Sequence, residues 1–268
     1  MLTKLFAYLC RFPVLKRLLW RRWYQFLARR FAIPEWQTMN YGFSALPIAA
    51  PIVLDPSEEG ERYGLQLYHA VCAGHSLAKM NVLEVGCGRG GGAAFIHRSG
   101  EPAAMTGLDF SAEAIALCLK RYARDGLMFL TGDAEKLPFA DATFDIVVNV
   151  ESSHCYGSMP AFLSEVQRVL KPGGRFLCAD FRDHDKVQIW REQLAASGLK
   201  VAVEKEITPN VLAALDADND RKLVLMRKIL PPRLFGAFSD FAAVKGSLVY
   251  EHFRSGEMRY FRFELVKE

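Results

Sequence analysis

Short apolar runs alternate with helix-like segments along the middle of the chain. Five runs have the length and the aliphatic content of buried strands: residues 82–85, 104–108, 127–131, 144–150 and 174–180. Apolar positions with helical spacing lie between most of these runs, at 92–97, 112–122 and 160–170. Strands that alternate with helices predict an α/β fold, in which a parallel sheet has helices on both faces.

The segments on either side of this alternation predict further elements. Residues 61–80 have a helical pattern that leads into the first strand. Beyond Lys186 we expect a helix to Ser197, a strand at 201–207, a helical insertion at 208–250 and a last strand at 258–266. Residues 40–56 are rich in Pro, Ala and Gly, and predict an irregular connection close to the active site. We therefore divide the chain into a basic N-terminal segment with its connection, 1–56, and a main domain, 57–268.

The charge of the chain is concentrated at its N-terminus. Residues 1–30 contain eight Lys or Arg and no acid, whereas the whole chain of 268 residues carries only +4. The same segment contains seven aromatic residues, which suits peripheral contact with an anionic membrane surface. The alternative is a helix that packs on the core and exposes a basic face. No run approaches the roughly 18 uncharged apolar residues of a spanning helix.

The remaining composition narrows the class of protein. The six cysteines contain no C-x-x-C pair, so we expect reduced thiols, no metal site and a cytoplasmic location, with possible peripheral membrane contact. Outside the N-terminus the chain is slightly acidic, so we expect no nucleic-acid partner. The pattern leaves the oligomeric state open.

A glycine-rich turn follows the first predicted strand. The run from Glu84 to Gly90 reads E-V-G-C-G-R-G, and it opens directly onto small residues that begin a helix. Glycine suits such a turn because the backbone must adopt positive φ and let a ligand approach closely. Asp109 follows Gly86 by 23 positions and ends the second strand, where a carboxylate can accept ribose hydroxyls. The pair predicts a nucleotide-like cofactor.

Two cofactors fit this pair, a dinucleotide and S-adenosylmethionine. The glycines alternate as G-x-G-x-G, and Glu84 offers a carboxylate that suits a cationic amino group better than a phosphate. The third strand ends at Gly132, Asp133 and Ala134, which places an acid where an adenine amino group can donate. These positions favour S-adenosylmethionine.

The chain resembles the class I S-adenosylmethionine-dependent methyltransferases at four places: 84–90, 108–109, 133–134 and 168–176. The resemblance implies a Rossmann-like, seven-stranded sheet whose last strand is antiparallel. It also implies that Asp109 holds the ribose, that Asp133 and Ala134 bind the adenine, and that Gly86 and Gly88 lie at the methionine end. The full set of expected cofactor-binding residues is Glu84, Gly86, Cys87, Gly88, Gly90, Asp109, Phe110, Asp133, Ala134 and Asn149.

A narrower resemblance concerns the acceptor. Residues 67–69, 90–93 and 150–156 are similar to the phthiotriol and phenolphthiotriol dimycocerosate methyltransferases. That group O-methylates a secondary hydroxyl on a very long-chain lipid, and a similar acceptor is what the resemblance implies here. The insertion 208–250 is apolar enough to form a lid over such an acceptor, or it packs as ordinary helices.

Three residues near the ends of the fourth and fifth strands are candidates for catalysis. His154 follows the fourth strand and Asp180 ends the fifth, so their side chains can meet at the carboxyl edge of the sheet. An imidazole oriented by a carboxylate suits removal of a proton from an alcohol. The alternative is a structural His–Asp pair. Glu151 either helps to bind the hydroxyl or satisfies backbone amides.

The leading hypothesis is therefore an S-adenosylmethionine-dependent O-methyltransferase acting on a hydroxyl of a hydrophobic lipid or polyketide-like acceptor. An N- or C-methyltransferase acting on a phospholipid amine or an isoprenoid is the second possibility. Two further alternatives are a non-catalytic S-adenosylmethionine-binding membrane module and an NAD-dependent oxidoreductase.

Overall fold

A seven-stranded sheet forms the centre of the protein. The computed structural model describes residues 13–47 and 52–268. Within this part of the chain the strands are β1 Asn81–Val85, β2 Ala104–Asp109, β3 Leu127–Thr131, β4 Phe144–Val150, β5 Leu170–Asp183, β6 Lys200–Glu206 and β7 Met258–Val266. The order in the sheet is β3-β2-β1-β4-β5-β7-β6, and only β7 runs antiparallel to its neighbours. The predicted α/β fold with an antiparallel last strand is confirmed.

The helices lie on both faces of this sheet. In the described residues they are α1 Pro13–Arg30, α2 Arg62–Cys72, α3 Gly91–Gly100, α4 Ala112–Tyr122, α5 Met159–Val169, α6 Val187–Ala195, α7 Thr208–Ile229, α8 Phe235–Phe241 and α9 Leu248–Ser255. Ser111 caps α4, since its hydroxyl accepts a hydrogen bond from the Ala114 amide at 3.2 Å. Helices α7, α8 and α9 stand between β6 and β7, where the helical insertion was predicted.

Two apolar layers cover the sheet. On one side α2, α3, α7 and α9 pack around a cluster that includes Leu67, Ile96 and Phe253. On the other side α5 and α6 contribute Phe162 and Trp190 to a second cluster. Strands β1 and β4 are buried between the layers. Burial on both faces explains why these central strands read as continuous apolar runs in the sequence.

Several predicted element boundaries differ from the structure, since α3 is longer than the expected 92–97 and the helical insertion expected over 208–250 extends to Ser255. The helix expected over 61–80 ends at Cys72, close to Gly74, whose φ of +87° is outside the helical range. Strand β5 runs from Leu170 to Asp183, longer than the expected 174–180, because the antiparallel β7 pairs with it as far as Asp183.

The basic N-terminal helix α1 packs against the body of the protein. Leu27 is fully buried in a third cluster with residues of α7 and α8, and the ring of Trp23 lies 5.7 Å from that of Phe238. The basic face that remains exposed includes Arg22 and Arg30. Some of the basic and aromatic residues counted in the segment 1–30 lie outside the described part of the chain: Lys4, Phe6, Tyr8, Arg11 and Phe12. Cys10 lies outside it as well. Among the described helices, none is both long and apolar enough to cross a membrane.

Candidate active site

A cleft of about 1090 Å³, including the space open to solvent at its mouth, lies at the carboxyl ends of β1, β2 and β4. The glycine turn after β1 forms one wall. Gly86 has a φ of +78°, and a Cβ at this position would lie 2.3 Å from the Ser152 hydroxyl oxygen. Gly88 has a φ of +52°. The turn therefore requires glycine both for its backbone conformation and for space.

Asp109 is positioned at the end of β2 by backbone amides. Its Oδ2 accepts a hydrogen bond from the Gly88 amide at 2.9 Å, and its Oδ1 accepts one from the Ser111 amide at 2.8 Å. Burial raises the pKa of Asp109, while these amides act in the opposite direction. Because a carboxylate oxygen can accept more than one hydrogen bond, both oxygens retain capacity for the two hydroxyls of a ribose.

The expected adenine end of the cleft is lined by Phe110, Asp133 and Ala134. Oδ1 of Asp133 accepts a hydrogen bond from the Glu135 amide at 3.0 Å, which orients the carboxylate at the turn after β3. The Arg21 guanidinium of α1 lies 4.7 Å from the centre of the Phe110 ring. The structure thus brings the sequence-predicted ribose and adenine residues to one cavity.

Three predicted cofactor residues lie behind the wall of this cleft rather than on it. Gly90 is the N-cap residue of α3, while the side chains of Glu84 and Asn149 are fully buried. Tyr68 donates a hydrogen bond to Oε1 of Glu84 at 2.7 Å, but Oε2 of Glu84 and Oδ1 of Asn149 have no partner in the described part of the protein. Burial raises the pKa of Glu84 to about 7. Two unsatisfied acceptors beside the glycine turn fit the cationic amino group of a methionine moiety.

Glu151 faces the cleft from the residue after β4. Its φ is +45°, a strained conformation for a residue other than glycine. Oε1 accepts hydrogen bonds from the Tyr41 amide at 2.6 Å and the Tyr260 hydroxyl at 2.9 Å, whereas Oε2 receives none from the described residues. Burial, with a contribution from the negative charge of Asp180, raises the pKa of Glu151 to about 8. A carboxyl group that titrates near neutral pH, with one oxygen free, suits transfer of a proton.

His154 and Asp180 form the predicted pair. Nδ1 of His154 lies 2.8 Å from Oδ1 of Asp180, and Asp180 also accepts hydrogen bonds from the Ser153 hydroxyl and the His154 amide. Burial favours the neutral imidazole, but Cys155 and the Asp180 carboxylate outweigh it and raise the pKa of His154 well above its usual value. Arg182 stands 3.2 Å from the other oxygen of Asp180. The pairing with Asp180 therefore favours the protonated imidazole.

The position of His154 differs from the expectation for a proton acceptor. Its ring packs against Phe181 at 4.4 Å, Trp20 of α1 lies edge-on at 6.1 Å, and His154 is not among the residues that line the cleft. Glu151 does line it. The three candidate residues thus lie at one end of the sheet, and of the three only Glu151 lines the cleft.

Several residues of this site were not predicted from the sequence. Trp20, Arg21 and Tyr24 of α1 line the cleft, and Tyr41 and Tyr260 hold Glu151. The aromatic composition of residues 1–30 was the only available signal for the first three, and it fits a membrane surface equally well. Nothing in the sequence connects Tyr41 or Tyr260 with a residue more than 100 positions away.

Comparison with known proteins identifies the family. Residues 83–178 match the profile of a methyltransferase domain. The phthiotriol/phenolphthiotriol dimycocerosates methyltransferase of Mycobacterium leprae is 37% identical over 93% of this chain and 92% of its own length. The fatty-acid O-methyltransferase of Mycolicibacterium smegmatis is 36% identical over 91% of this chain and 88% of its own. The chain belongs to this family of methyltransferases.

Solved structures agree with this assignment at the level of the fold. The geranyl diphosphate C-methyltransferase of Streptomyces coelicolor, solved with S-adenosyl-L-homocysteine, has a TM-score of 0.66 at 17% identity and covers 91% of this chain and 98% of its own. The [4+2]-cyclase SpnF has a TM-score of 0.68 at 18% identity, with 92% and 94% covered. The cofactor of this methyltransferase is S-adenosylmethionine, and the cleft built around Asp109 and the glycine turn has the residues to hold it.

Proposed function

We propose that this methyltransferase O-methylates a hydroxyl of a hydrophobic lipid or polyketide-like acceptor, with Glu151 as the proton acceptor. The carboxyl group of Glu151 carries the proposal, because it is the predicted catalytic group that borders the cofactor cleft and keeps one oxygen free. The names of the relatives support a lipid acceptor, since one acts on phthiotriol dimycocerosates and another on fatty acids.

The chemistry needs a base because an alcohol is a poor nucleophile until its proton is removed. When bound, the cofactor supplies an activated methyl group on a sulfonium. The glycine turn and Asp109 would hold the cofactor, which would supply the methyl group to the acceptor oxygen, and Glu151 takes the proton that this hydroxyl loses. Tyr41 and Tyr260 hold the carboxyl in place through Oε1, which leaves Oε2 for the acceptor.

His154 and Asp180 have a supporting role in this proposal. A protonated imidazole that is held by Asp180 places a positive charge near Glu151, and this charge lowers the pKa of Glu151 against the effect of burial. Loss of His154 would therefore raise the pKa of the proposed base. The pair acts on Glu151 from behind the cleft wall, without contact to the acceptor.

The test is incubation of the purified protein with methyl-labelled S-adenosylmethionine and fractionated lipids and polyketides, followed by mass spectrometry of the labelled products. A methyl ether on a lipid hydroxyl supports the proposal, whereas a methyl ester, formed on a carboxylate that is already ionised, would contradict the role of Glu151 as a base. Methylation of a phospholipid amine or of an isoprenoid carbon would replace it with the N- or C-methyltransferase alternative. Cofactor binding without any labelled product would favour a non-catalytic binding module.

Peripheral membrane contact through residues 1–30 is a separate part of the proposal. Arg22, Arg30 and Phe26 are exposed on α1, and Phe26 retains 43% of its accessible surface. A basic face with an exposed aromatic ring suits anionic lipid. Co-sedimentation with vesicles of anionic and of zwitterionic lipid, for the native chain and for Arg22→Glu with Arg30→Glu, measures it. Equal recovery in all four samples would argue against membrane contact.

A further inference from the structure

A second cavity, of about 760 Å³ including its opening, adjoins the cofactor cleft. Helices α7 and α8 supply much of its apolar wall, which includes Leu225, Met226, Phe238 and Phe241. Residues 38–40 line both this cavity and the cofactor cleft. A ligand in this second cavity is therefore separated from the cofactor cleft by one short stretch of the N-terminal connection.

Three of the four charged residues that line the second cavity satisfy one another. The Arg221 guanidinium donates to both oxygens of Asp218, at 2.6 and 2.7 Å, and stands 3.4 Å from Glu61. Oε2 of Glu61 accepts hydrogen bonds from the amide and the hydroxyl of Thr38. These carboxylates are held in place by partners within the protein.

Lys222 is the fourth charged residue, and it has no such partner. Its ammonium donates to the Ala242 carbonyl at 3.2 Å and forms no ion pair with any carboxylate of the described residues. Burial lowers the pKa of Lys222. The side chain of Lys222 is half-buried, and the carboxylates of Asp218, Glu151 and Glu61 favour its charged form without pairing with it directly. The second cavity thus combines an apolar wall with a cation that is available to a ligand.

We propose that this second cavity is the acceptor site and that the Lys222 ammonium pairs with a carboxylate of the acceptor, which makes the acceptor class a long-chain lipid acid. The inference rests on the proposed function and specifies its substrate. The alkyl chain lies against the apolar wall of α7 and α8. The acceptor is a hydroxylated chain: its carboxylate pairs with Lys222 in the second cavity, and its hydroxyl is the group that is methylated, which gives a methyl ether.

The experiment compares three acceptors of equal chain length: hexadecanoic acid, 3-hydroxyhexadecanoic acid and hexadecan-2-ol. The variants are Lys222→Met, which keeps the length of the side chain and removes its charge, and Lys222→Arg, which keeps the charge. Lys228→Met is the matched control, because Lys228 lies on the same helix, is exposed and pairs with Glu35. KM and kcat are measured separately, and mass spectrometry distinguishes ester from ether products.

We expect 3-hydroxyhexadecanoic acid to be the preferred acceptor and Lys222→Met to raise its KM by about 10- to 100-fold, as expected for loss of one charge-assisted contact. Lys222→Arg restores part of this loss, and Lys228→Met changes neither constant. Affinity for S-adenosylhomocysteine stays unchanged in all variants. Preference for the neutral alcohol would overturn the inference. So would an equal rise in KM for acid and alcohol, because that is the result of a lysine that only ties α7 to Ala242.

Equilibrium binding of hexadecanoate to the protein loaded with S-adenosylhomocysteine separates this inference from the proposed function. Binding that weakens in Lys222→Met, without any methylated product from the native protein, supports the carboxylate site and contradicts the O-methyltransferase proposal. Absence of hexadecanoate binding overturns the carboxylate site, whatever neutral lipid the protein methylates.

Discussion

Replacement of Glu151 by Gln tests the proposed base most directly. The amide keeps an oxygen that can accept from Tyr41 and Tyr260, but it cannot take up a proton. Loss of general-base catalysis reduces kcat by about 10²- to 10⁴-fold, or about 3 to 5 kcal/mol in the activation barrier. Calorimetry with S-adenosylhomocysteine should give an unchanged affinity, since the ribose and adenine residues are untouched.

The dependence of kcat/KM on pH is a second measurement that tests Glu151→Gln. Only the ionised form of Glu151 accepts a proton, and its pKa is about 8. In the native protein kcat/KM should therefore rise about tenfold per pH unit below 8 and level off above it. In Glu151→Gln this rise should be absent.

The stability of the native protein should fall over the same pH range. The pKa of Glu151 is 4.5 in its ordinary environment and about 8 in the folded protein, so the folded state holds the proton more tightly. The stabilisation is complete below pH 4.5 and is lost as the pH rises toward 8. The full difference corresponds to about 5 kcal/mol. Urea unfolding between pH 5 and pH 8 should show Glu151→Gln gaining stability relative to the native protein by an amount of this order.

Glu264→Gln is the control, because Glu264 is a buried carboxylate on β7 that pairs with His75 and Arg175, away from the cleft. It should lower stability and leave kcat close to that of the native protein. Full kcat in Glu151→Gln would show that Glu151 is not the base. A stability relative to the native protein that does not change with pH would show that the pKa of Glu151 is not raised in the folded state.

Three further substitutions test the cofactor site and the packing of α1. Gly86→Ala places a Cβ 2.3 Å from the Ser152 hydroxyl oxygen, and it should abolish S-adenosylhomocysteine binding that is measurable by calorimetry. Gly173→Ala is the control, because Gly173 has a similar positive φ and open space around it, and it should leave binding intact. Asp109→Asn should weaken the same binding by about 10- to 100-fold, since it removes the charge from two hydrogen bonds to the ribose; an unchanged Kd would show that the ribose lies elsewhere. Leu27→Ala should destabilise the protein by about 2 to 5 kcal/mol in chemical unfolding, because Leu27 is fully buried, and an effect below about 0.5 kcal/mol would mean that α1 does not pack on the body in solution.

The sequence by itself determined the fold and the cofactor. Strand and helix periodicities in the range 81–180 reflect burial on both faces of the sheet, so local pattern and tertiary environment agree there. The glycine turn and Asp109 are recognisable because their roles depend on backbone conformation and on a fixed place after a strand. Asp133 and Ala134 are recognisable for the same reason, since they follow the third strand directly.

Which of the candidate groups borders the cleft became visible only in the folded structure. Glu151 receives its hydrogen bonds from Tyr41 and Tyr260, which are 110 and 109 positions away, and its raised pKa follows from burial that no local pattern records. In the sequence His154 was the candidate proton acceptor, but its ring lies next to Trp20, it does not line the cleft, and its pairing with Asp180 raises its pKa. Local periodicity determines secondary structure, whereas the proton affinity of a side chain depends on the groups that the complete fold packs around it.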